Sequence, residues 1–249
     1  MKIRIYNNYD EMSTAAASFV ADHIRNNPSA LICFPSGDTP TAVLSNLVEE
    51  VQNGRLDLSQ CHFVGLDEWA GLAAVNDGSC RRYMDEHFFL PLRIAKDRIF
   101  FFEGTASDLE GECKRIDRVI NSKGGIDLMM VGLGMNGHVG LNEPGVDFSL
   151  YSHVSDLEEQ TKQVARKYFR EEVPLSYGIT LGPRHLLEAK TAVLIASGSK
   201  KADIVSRAVE GQVSAEVPAS ILQKHKNAYA YLDRDAAVML SQSSANKGI

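Results

Sequence analysis

The chain alternates short apolar runs with longer segments in which apolar residues recur every three or four positions. The short runs predict strands, and their lack of strict alternation favours a parallel sheet that is covered on both faces. The longer segments predict amphipathic helices. The predicted strands are a run beginning at residue 2, ALICFP (30–35), HFVGLD (62–67), RIFFFE (98–103), IDLMMVGL (126–133), TAVLIAS (191–197) and AYAYLD (228–233). The predicted helices are DEMSTAAASFVADHIRNN, TAVLSNLVEEVQNG, SDLEGECKRIDRVINSKGG and SKKADIVSRAVEGQ.

This order of strands and helices predicts an α/β fold. Parallel strands joined by right-handed crossovers form a doubly wound, mostly parallel, Rossmann-like sheet with helices on both faces. The 249 residues contain no repeat or linker, so we predict a single domain over 1–249 with a frayed polar tail at 241–249. Ligands of such sheets bind beyond the carboxyl ends of the strands, and functional residues are therefore expected after strands.

Composition and charge narrow the choice of partner. Hydrophobic residues make up 44% of the chain and charged residues 23%, as in ordinary globular proteins. The formal net charge of -6 argues against nucleic acid and anionic membranes, although a local positive pocket could still bind an anionic small molecule. No apolar run approaches the roughly 20 residues of a membrane helix, and the first residues do not resemble a signal peptide, so we expect a cytoplasmic protein.

The four cysteines, Cys33, Cys61, Cys80 and Cys113, are scattered along the chain. They form no CxxC pair and have no histidine at zinc-finger spacing, so the sequence predicts neither a disulfide framework nor a metal site. We interpret them as small buried apolar side chains.

The loop PSGDTPT (35–41) leads from a predicted strand into a predicted helix. Thr39 is a candidate N-cap and Pro40 fits the first helical position. Gly37 permits a tight turn that aims backbone N–H groups at an anion, provided that Asp38 points outward. One interpretation is an ordinary capped turn, and the other is a phosphate site. The residues of that site would be Ser36, Gly37, Thr39 and Thr41.

The segment LDEWAGL (66–72) places two carboxylates at the end of a strand. Adjacent strand residues face opposite sides, so only one of them can enter a site, and we assign Glu68 the structural role. Asp67, partly desolvated beside Trp69, would have a raised pKa and could act as a base near neutral pH. The alternative is a solvated acidic loop.

The glycine-rich loop VGLGMNGHVGLNEPG (131–145) follows another predicted strand. His138 and Glu143 are five residues apart, and a carboxylate beside the ring would fix its tautomer and raise its basicity. A single histidine is more often structural than catalytic. A histidine that shares a glycine-rich loop with an acid after a buried strand favours catalysis.

Together, GDTPT, FVGLDEWAGL and GLGMNGHVGLNEPG resemble the glucosamine-6-phosphate deaminase/isomerase family, which includes galactosamine-6-phosphate relatives. The clear resemblance covers residues 30–145. Matches at GITLG, SGSKKADIV and VPASILQKHKN extend it over most of the chain. The LDEW form is closest to the galactosamine-type members and favours that substrate.

The resemblance implies roles for particular residues. Asp67 matches the base that moves a proton between C2 and C1 of the open-chain sugar, and His138 matches the histidine that assists ring opening. Glu143 is its carboxylate partner, and Asn136 stands where some members carry Asp; an asparagine can orient a ring but cannot balance its charge. The implied phosphate-binding residues are Ser36, Gly37, Thr39 and Lys201, with Lys200 as a less favoured alternative to Lys201.

The resemblance further implies a reaction without metal or cofactor, in which a hexosamine 6-phosphate and water give a ketohexose 6-phosphate and ammonia. The product is fructose 6-phosphate or tagatose 6-phosphate, according to the substrate. Relatives differ in oligomeric state, which leaves room for a homo-oligomer. Arg166 or Lys167 is a further candidate for a phosphate contact, although a solvated helix face is the favoured interpretation of this basic pair.

Two other functions remain open from the sequence. A 6-phosphogluconolactonase has a similar fold and a glycine-rich loop with a histidine, but that loop continues differently from GLNEPG. A sugar-phosphate-sensing regulator would need a DNA-binding domain, usually ahead of the sensor, and here the first strand begins at residue 2.

Overall fold

The computed structural model describes residues 1–169 and 174–241. Its main sheet has seven strands in the order β1-β10-β9-β6-β2-β3-β5, and every pairing in it is parallel. This confirms the predicted α/β fold. The predicted frayed tail lies, from residue 242 onward, outside the described residues. The strands of this sheet are β1 (Lys2–Tyr6), β2 (Leu31–Phe34), β3 (His62–Gly65), β5 (Ile99–Phe100), β6 (Leu128–Gly132), β9 (Thr191–Ala196) and β10 (Ala228–Asp233).

Helices cover both faces of the sheet, as the pattern predicts. Side chains of β9 alternate between two cores: Leu194 packs in the cluster that contains Ile116 of α4, and Val193 packs in the cluster that contains Met12 of α1 and Leu44 of α2. The α-helices are α1 (Tyr9–Asn26), α2 (Thr41–Gln52), α3 (Cys80–Met84), α4 (Leu109–Ser122), α5 (Glu159–Ala165), α6 (Pro183–Glu188) and α7 (Ala202–Val209). Helix α3 continues into a π-helical turn over Asp85–Phe89.

A second, antiparallel sheet of three strands was not predicted. The predicted strand over 62–67 divides after Gly65, where the Phe101 ring lies so close that a Cβ would be 2.7 Å away. The chain then enters the small sheet, in the order β4-β8-β7. Its strands are β4 (Asp67–Trp69), β7 (His153–Asp156) and β8 (Tyr177–Thr180).

The strand order changes direction between β2 and β6. From β2 the chain builds the sheet outward through β3 and β5, and from β6 it builds outward through β9 and β10 on the other side. Loops that leave such neighbouring strands diverge onto opposite faces and open a crevice, which is the usual ligand site of doubly wound sheets. The loop PSGDTPT and the glycine-rich loop therefore flank one crevice.

Within the described parts of the chain, no helix is long and apolar enough to cross a membrane. The four cysteines are all buried and carry free thiols, which confirms their interpretation as buried side chains.

Candidate active site

The loops after β2, β6 and β9 enclose, together with β4, α3 and α5, a cavity of about 1060 Å³. Two of the predicted site residues, Glu143 and Thr41, do not line it, and the Glu143 side chain lies behind the His138 ring. The predicted residues that line the cavity are Ser36, Gly37, Thr39, Asp67, Asn136, His138 and Lys201, together with Lys200, the alternative to Lys201.

Asp67 lies at the start of β4, where it is 8% exposed and opposite Thr180 of β8. Burial raises the pKa of Asp67 to about 7, with a further contribution from the neighbouring charge of Glu68 and an opposing one from a hydrogen bond with the Cys80 thiol. A carboxyl group of this kind exists in both protonation states near neutral pH, which suits a proton carrier. The alternative of a solvated acidic loop is wrong.

Glu68 points away from the cavity and is 1% exposed. Its Oε1 accepts hydrogen bonds from the N–H groups of Trp69 (2.9 Å) and Cys80 (3.0 Å), and its Oε2 accepts from the Ser79 hydroxyl (2.7 Å) and the Arg81 N–H (3.0 Å). Burial raises the pKa of Glu68 and these donors partly oppose that rise. The carboxylate joins β4 to the start of α3, in agreement with the structural role expected for it.

His138 and Glu143 are brought together by the glycine-rich loop. The His138 Nδ1 atom lies 3.4 Å from Glu143 Oε2 and 3.2 Å from the Thr161 hydroxyl. Asn136 Nδ2 donates to Glu143 Oε2 at 2.7 Å, and Asn136 Oδ1 accepts from the His138 N–H at 3.2 Å. Asn136 therefore holds the carboxylate and the backbone, and Glu143 is the residue that meets the ring.

The residues around Glu143 favour its ionised form. Burial by itself raises the pKa of Glu143, but hydrogen bonding and charge from His138, with hydrogen bonds from Thr161 and Asn136, bring it below its usual value. An anionic partner on Nδ1 orients the imidazole and stabilises its protonated form.

Two glycines explain why the loop can adopt this shape. A Cβ on Gly134 would lie 2.3 Å from His138 Nε2, so the ring packs directly against the backbone there. Gly137 has φ +90°, a conformation that other residues rarely adopt.

The loop after β2, residues 35–41, does not cap helix α2 in the predicted way. Helix α2 begins at Thr41, its N-cap is Pro40, and neither Thr39 nor any other side chain of the loop caps it. The Tyr9 hydroxyl instead accepts a hydrogen bond from the Ala42 N–H at 3.1 Å and lies 3.0 Å from the Thr39 carbonyl. The predicted N-cap at Thr39 is therefore wrong, because a tyrosine from α1 supplies the oxygen.

In the rest of the loop, Gly37 has the predicted conformation and Thr41 does not have its predicted place. Gly37 has φ +114°, as expected for the tight turn. Thr41 does not line the cavity, because its hydroxyl donates to the Gly37 carbonyl at 3.1 Å and lies 2.8 Å from the Tyr83 hydroxyl. Thr41 thus supports the loop, contrary to its predicted place among the anion-binding residues.

Asp38 points outward and forms an ion pair with Lys167. The distance from Lys167 Nζ to Asp38 Oδ2 is 2.5 Å, and the Asp38 side chain is 71% exposed. Lys167 also lines the cavity, whereas Arg166 does not. Of the two basic residues considered from the sequence, Lys167 is the one that reaches the cavity, and its side chain is 49% exposed. A phosphate contact of Lys167 stays a prediction.

Lys201 follows β9 and enters the cavity from the opposite side. Burial lowers the pKa of Lys201 to about 8, and the charge of Lys167 acts in the same direction. Its Nζ donates to the Leu133 carbonyl. The preceding turn is held by Asp233, which accepts hydrogen bonds from the Ser197 hydroxyl (2.5 Å) and the Gly198 N–H (3.0 Å). An anion in the cavity would favour the charged form of this lysine and raise its pKa.

Sequence reasoning missed three residues of the site. Thr161 contacts His138 from α5, Cys80 faces Asp67 from α3, and the Tyr168 hydroxyl lies against Gly37. None of them belongs to a recognisable motif, and their segments have weak helical periodicity. In the described ranges, no group of three or more His, Cys, Asp or Glu side chains is arranged to hold a metal ion.

Comparison with known proteins gives consistent results. The family model described as glucosamine-6-phosphate isomerases/6-phosphogluconolactonase matches residues 7–231. A glucosamine-6-phosphate deaminase of Clostridium perfringens is 37% identical over 242 residues, which cover 96% of this chain and 100% of the relative. One from Clostridium botulinum is 36% identical over 243 residues, which cover 97% and 99% of the two chains.

Comparison with solved structures finds the same kind of protein as the comparison of sequences. The structure of a monomeric glucosamine-6-phosphate deaminase superposes with a TM-score of 0.93 at 35% identity, covering 96% of this chain and 100% of that one. A 6-phosphogluconolactonase of Trypanosoma brucei has a TM-score of 0.77 at 19% identity, covering 96% and 98%, a likeness that concerns the fold. The chain belongs to the family of glucosamine-6-phosphate isomerases and 6-phosphogluconolactonases.

Proposed function

We propose that this protein is a hexosamine-6-phosphate deaminase/isomerase that converts its substrate and water into a ketohexose 6-phosphate and ammonia. The observation that supports the proposal is one cavity in which a buried carboxyl group, Asp67, and the His138 ring, with Glu143 behind it, face the loop 35–41 that is predicted to bind an anion. The relatives named above favour glucosamine 6-phosphate, whereas the LDEW motif favours the galacto epimer.

The phosphate would be held at the end of the cavity opposite the acid–base residues. The loop after β2 presents Ser36, Gly37 and Thr39, and Lys201 supplies a positive charge from the turn after β9. A lysine acts on phosphate as a point charge, and glycine allows the backbone to approach it closely. A fixed phosphate positions the reacting carbons, so its binding energy contributes to turnover as well as to affinity.

His138 catalyses ring opening in the proposed reaction. With Glu143 and Thr161 on Nδ1, the Nε2 atom is the one available to exchange a proton with the sugar. It transfers a proton from the C1 hydroxyl to the ring oxygen, which gives the open-chain aldehyde. Glu143 stabilises the imidazolium that forms during this transfer.

Asp67 catalyses the isomerisation in the proposed reaction. Its carboxylate removes the C2 proton of the open-chain amino aldehyde, which gives an enolate with the amino group at C2, and then returns this proton to C1. A proton of the amino group moves to the C1 oxygen. The product carries an imine at C2, and water hydrolyses this imine to the ketone with release of ammonia. Asp67 ends the cycle ionised, as it began.

The test of the proposal is ammonia release from glucosamine 6-phosphate and, separately, from galactosamine 6-phosphate. Turnover of either sugar supports the proposed reaction, and the ratio of the kcat/KM values identifies the epimer. A folded protein that releases no ammonia from either sugar, and instead hydrolyses 6-phosphogluconolactone, would overturn the proposal in favour of the other activity in the family description.

Removing the positive charge of Lys201 is expected to weaken substrate recognition. Lys201→Met should lower kcat/KM about 10- to 100-fold, because a hydrogen bond to a charged group contributes about 1.5–3 kcal/mol. Steady-state kinetics with the amino-sugar phosphate measure this effect. The matched control is Lys96→Met, which removes the same charge from an exposed residue outside the cavity and should cost less than about threefold. Equal losses in the two variants would contradict the assignment.

The pH dependence of kcat/KM is expected to be bell-shaped and narrow. Activity should rise with pH as Asp67, whose pKa is raised to about 7, loses its proton and becomes a base. It should fall at higher pH as Lys201, whose pKa is lowered to about 8, loses its charge. In Lys201→Met the rising limb should remain and the falling limb should weaken, and a variant profile identical to the wild type would contradict the assignment of the falling limb.

Several expectations from the sequence remain predictions for this chain. These are a single domain over 1–249, a cytoplasmic location, a reaction without metal or cofactor, and the choice between monomer and homo-oligomer. Assays after chelation and light scattering of the purified protein address the last two.

A further inference from the structure

The Gly37 carbonyl, in the loop proposed to bind the phosphate, accepts hydrogen bonds from two side-chain hydroxyl groups. The Tyr83 hydroxyl donates to it at 2.8 Å and the Thr41 hydroxyl at 3.1 Å, and the two hydroxyl oxygens lie 2.8 Å apart. Tyr83 belongs to α3, and Thr41 is the first residue of α2. Two helices therefore fix the direction of this peptide group in the turn.

Tyr9, the first residue of α1, contacts the next two peptide groups of the loop. Its hydroxyl lies 3.1 Å from the Asp38 carbonyl and 3.0 Å from the Thr39 carbonyl. The same hydroxyl accepts a hydrogen bond from the Ala42 N–H at 3.1 Å. The three successive carbonyl groups at 37–39 are thus all within hydrogen-bond distance of a tyrosine hydroxyl.

The N–H groups of the same loop have no comparable partners. In the described part of the chain, Ser36, Gly37 and Thr39 donate no hydrogen bond to a backbone oxygen. A phosphate group accepts hydrogen bonds from N–H groups and is repelled by carbonyl oxygens. A loop that binds an anion therefore needs other donors for its carbonyl groups, and the two tyrosines provide them.

We propose that Tyr83 and Tyr9 are positioning residues for phosphate: their hydroxyl groups hold the carbonyl groups of loop 35–41 and leave its N–H groups free for the anion. The inference rests on the proposed function, because it concerns the site that would bind the phosphate of the substrate. It makes recognition of that phosphate depend on two side chains from other helices.

The tyrosine rings are held in place by packing. Both are partly buried against the core cluster that contains Met12 and Leu44, and the Tyr83 ring centroid lies 4.4 Å from that of His87. Burial raises the pKa of Tyr83 to about 12, and the hydrogen bond with Thr41 opposes this rise. The Tyr83 hydroxyl therefore keeps its proton near neutral pH and remains a donor. A hydroxyl on a packed ring loses little conformational freedom when it binds the loop.

The experiment measures the Kd for inorganic phosphate by phosphorus NMR titration of the wild type, Tyr83→Phe, Tyr9→Phe and the double variant. Phenylalanine keeps the packed ring and removes only the hydroxyl. Each single variant should raise Kd about three- to tenfold, as expected for the loss of one hydrogen bond that holds the site. The double variant should raise it about 10- to 100-fold, because the two hydroxyls act on different peptide groups.

Steady-state kinetics with the hexosamine 6-phosphate give a second measurement. KM should rise in the same order of variants, and kcat should fall by a smaller factor than KM rises, because the proposed acid–base residues lie on other loops. The matched control is Tyr151→Phe, which removes a hydroxyl that lies 3.1 Å from both carboxylate oxygens of Glu188, outside the cavity. Its Kd for phosphate should equal that of the wild type.

Folded Tyr83→Phe and Tyr9→Phe variants that bind phosphate within about twofold of the wild type would overturn the inference. An equal loss of phosphate binding in Tyr151→Phe would also overturn it, as would a wild type that binds no phosphate. The proposed function fails separately, if the wild type binds phosphate but releases no ammonia from either sugar. In that case the Kd values of the tyrosine variants still decide whether the hydroxyls position the loop.

Discussion

Asp67→Asn is expected to lower kcat about a hundredfold to ten-thousandfold, the range attributed to a positioned general base. The amide has nearly the shape of the carboxyl group but cannot accept the C2 proton. Substrate affinity should change little, because the residues proposed to bind the phosphate, Ser36 and Lys201, lie on other elements. Ammonia release measures kcat, and calorimetric titration with the sugar phosphate measures binding.

The control for this prediction is Asp22→Asn. Asp22 is exposed on α1 and pairs with Arg25 on the surface, so its loss should leave kcat unchanged. An Asp67→Asn variant with more than about a tenth of wild-type turnover would show that another group carries the proton.

His138→Gln is expected to lower kcat by a similar factor, about a hundredfold or more, for a different reason. Glutamine can hydrogen-bond with the sugar but cannot pass a proton to the ring oxygen, so ring opening becomes the slow step. Substrate deuterated at C2 separates the two events. The wild type should show a primary isotope effect on kcat to the extent that C2 proton transfer is slow, and in His138→Gln this effect should decline toward unity.

His62→Gln serves as the matched control. His62 begins β3 at the amino end of the strand and stacks on Phe100, away from the cavity. Its replacement should leave both kcat and the isotope effect unchanged. A slow His138→Gln variant with an undiminished isotope effect would place His138 in the proton transfer at C2 and not in ring opening.

The sequence alone was sufficient to predict the main sheet, its two covered faces and the loops that bear the site. Fully buried strands such as β6 and β9 are continuous apolar runs, and the glycine-rich loop directly follows β6. Once the strands are parallel, their carboxyl ends lie at one edge, and loops 35–41 and 131–145 must meet there. The pairing of His138 with Glu143 was predictable because the two residues share one loop.

The small antiparallel sheet was not predictable in this way. Its strands β4, β7 and β8 have three or four residues each, and β7 reads HVSD, which has little apolar character. Short polar strands form because tertiary packing offers them a partner, and they leave almost no periodic signal.

Only the tertiary structure shows which residues from distant segments contact the loops and side chains of the site. The Tyr9 hydroxyl reaches the start of α2, Thr161 reaches His138 from α5, and Lys167 pairs with Asp38 across 129 positions of the chain. Sequence motifs identified Asp67, His138 and Glu143 because each lies in a loop or strand end with a distinctive local pattern. Partners such as Thr161 and Cys80 come from distant segments, and only the packing of α3 and α5 against the sheet determines which of their side chains reach the cavity.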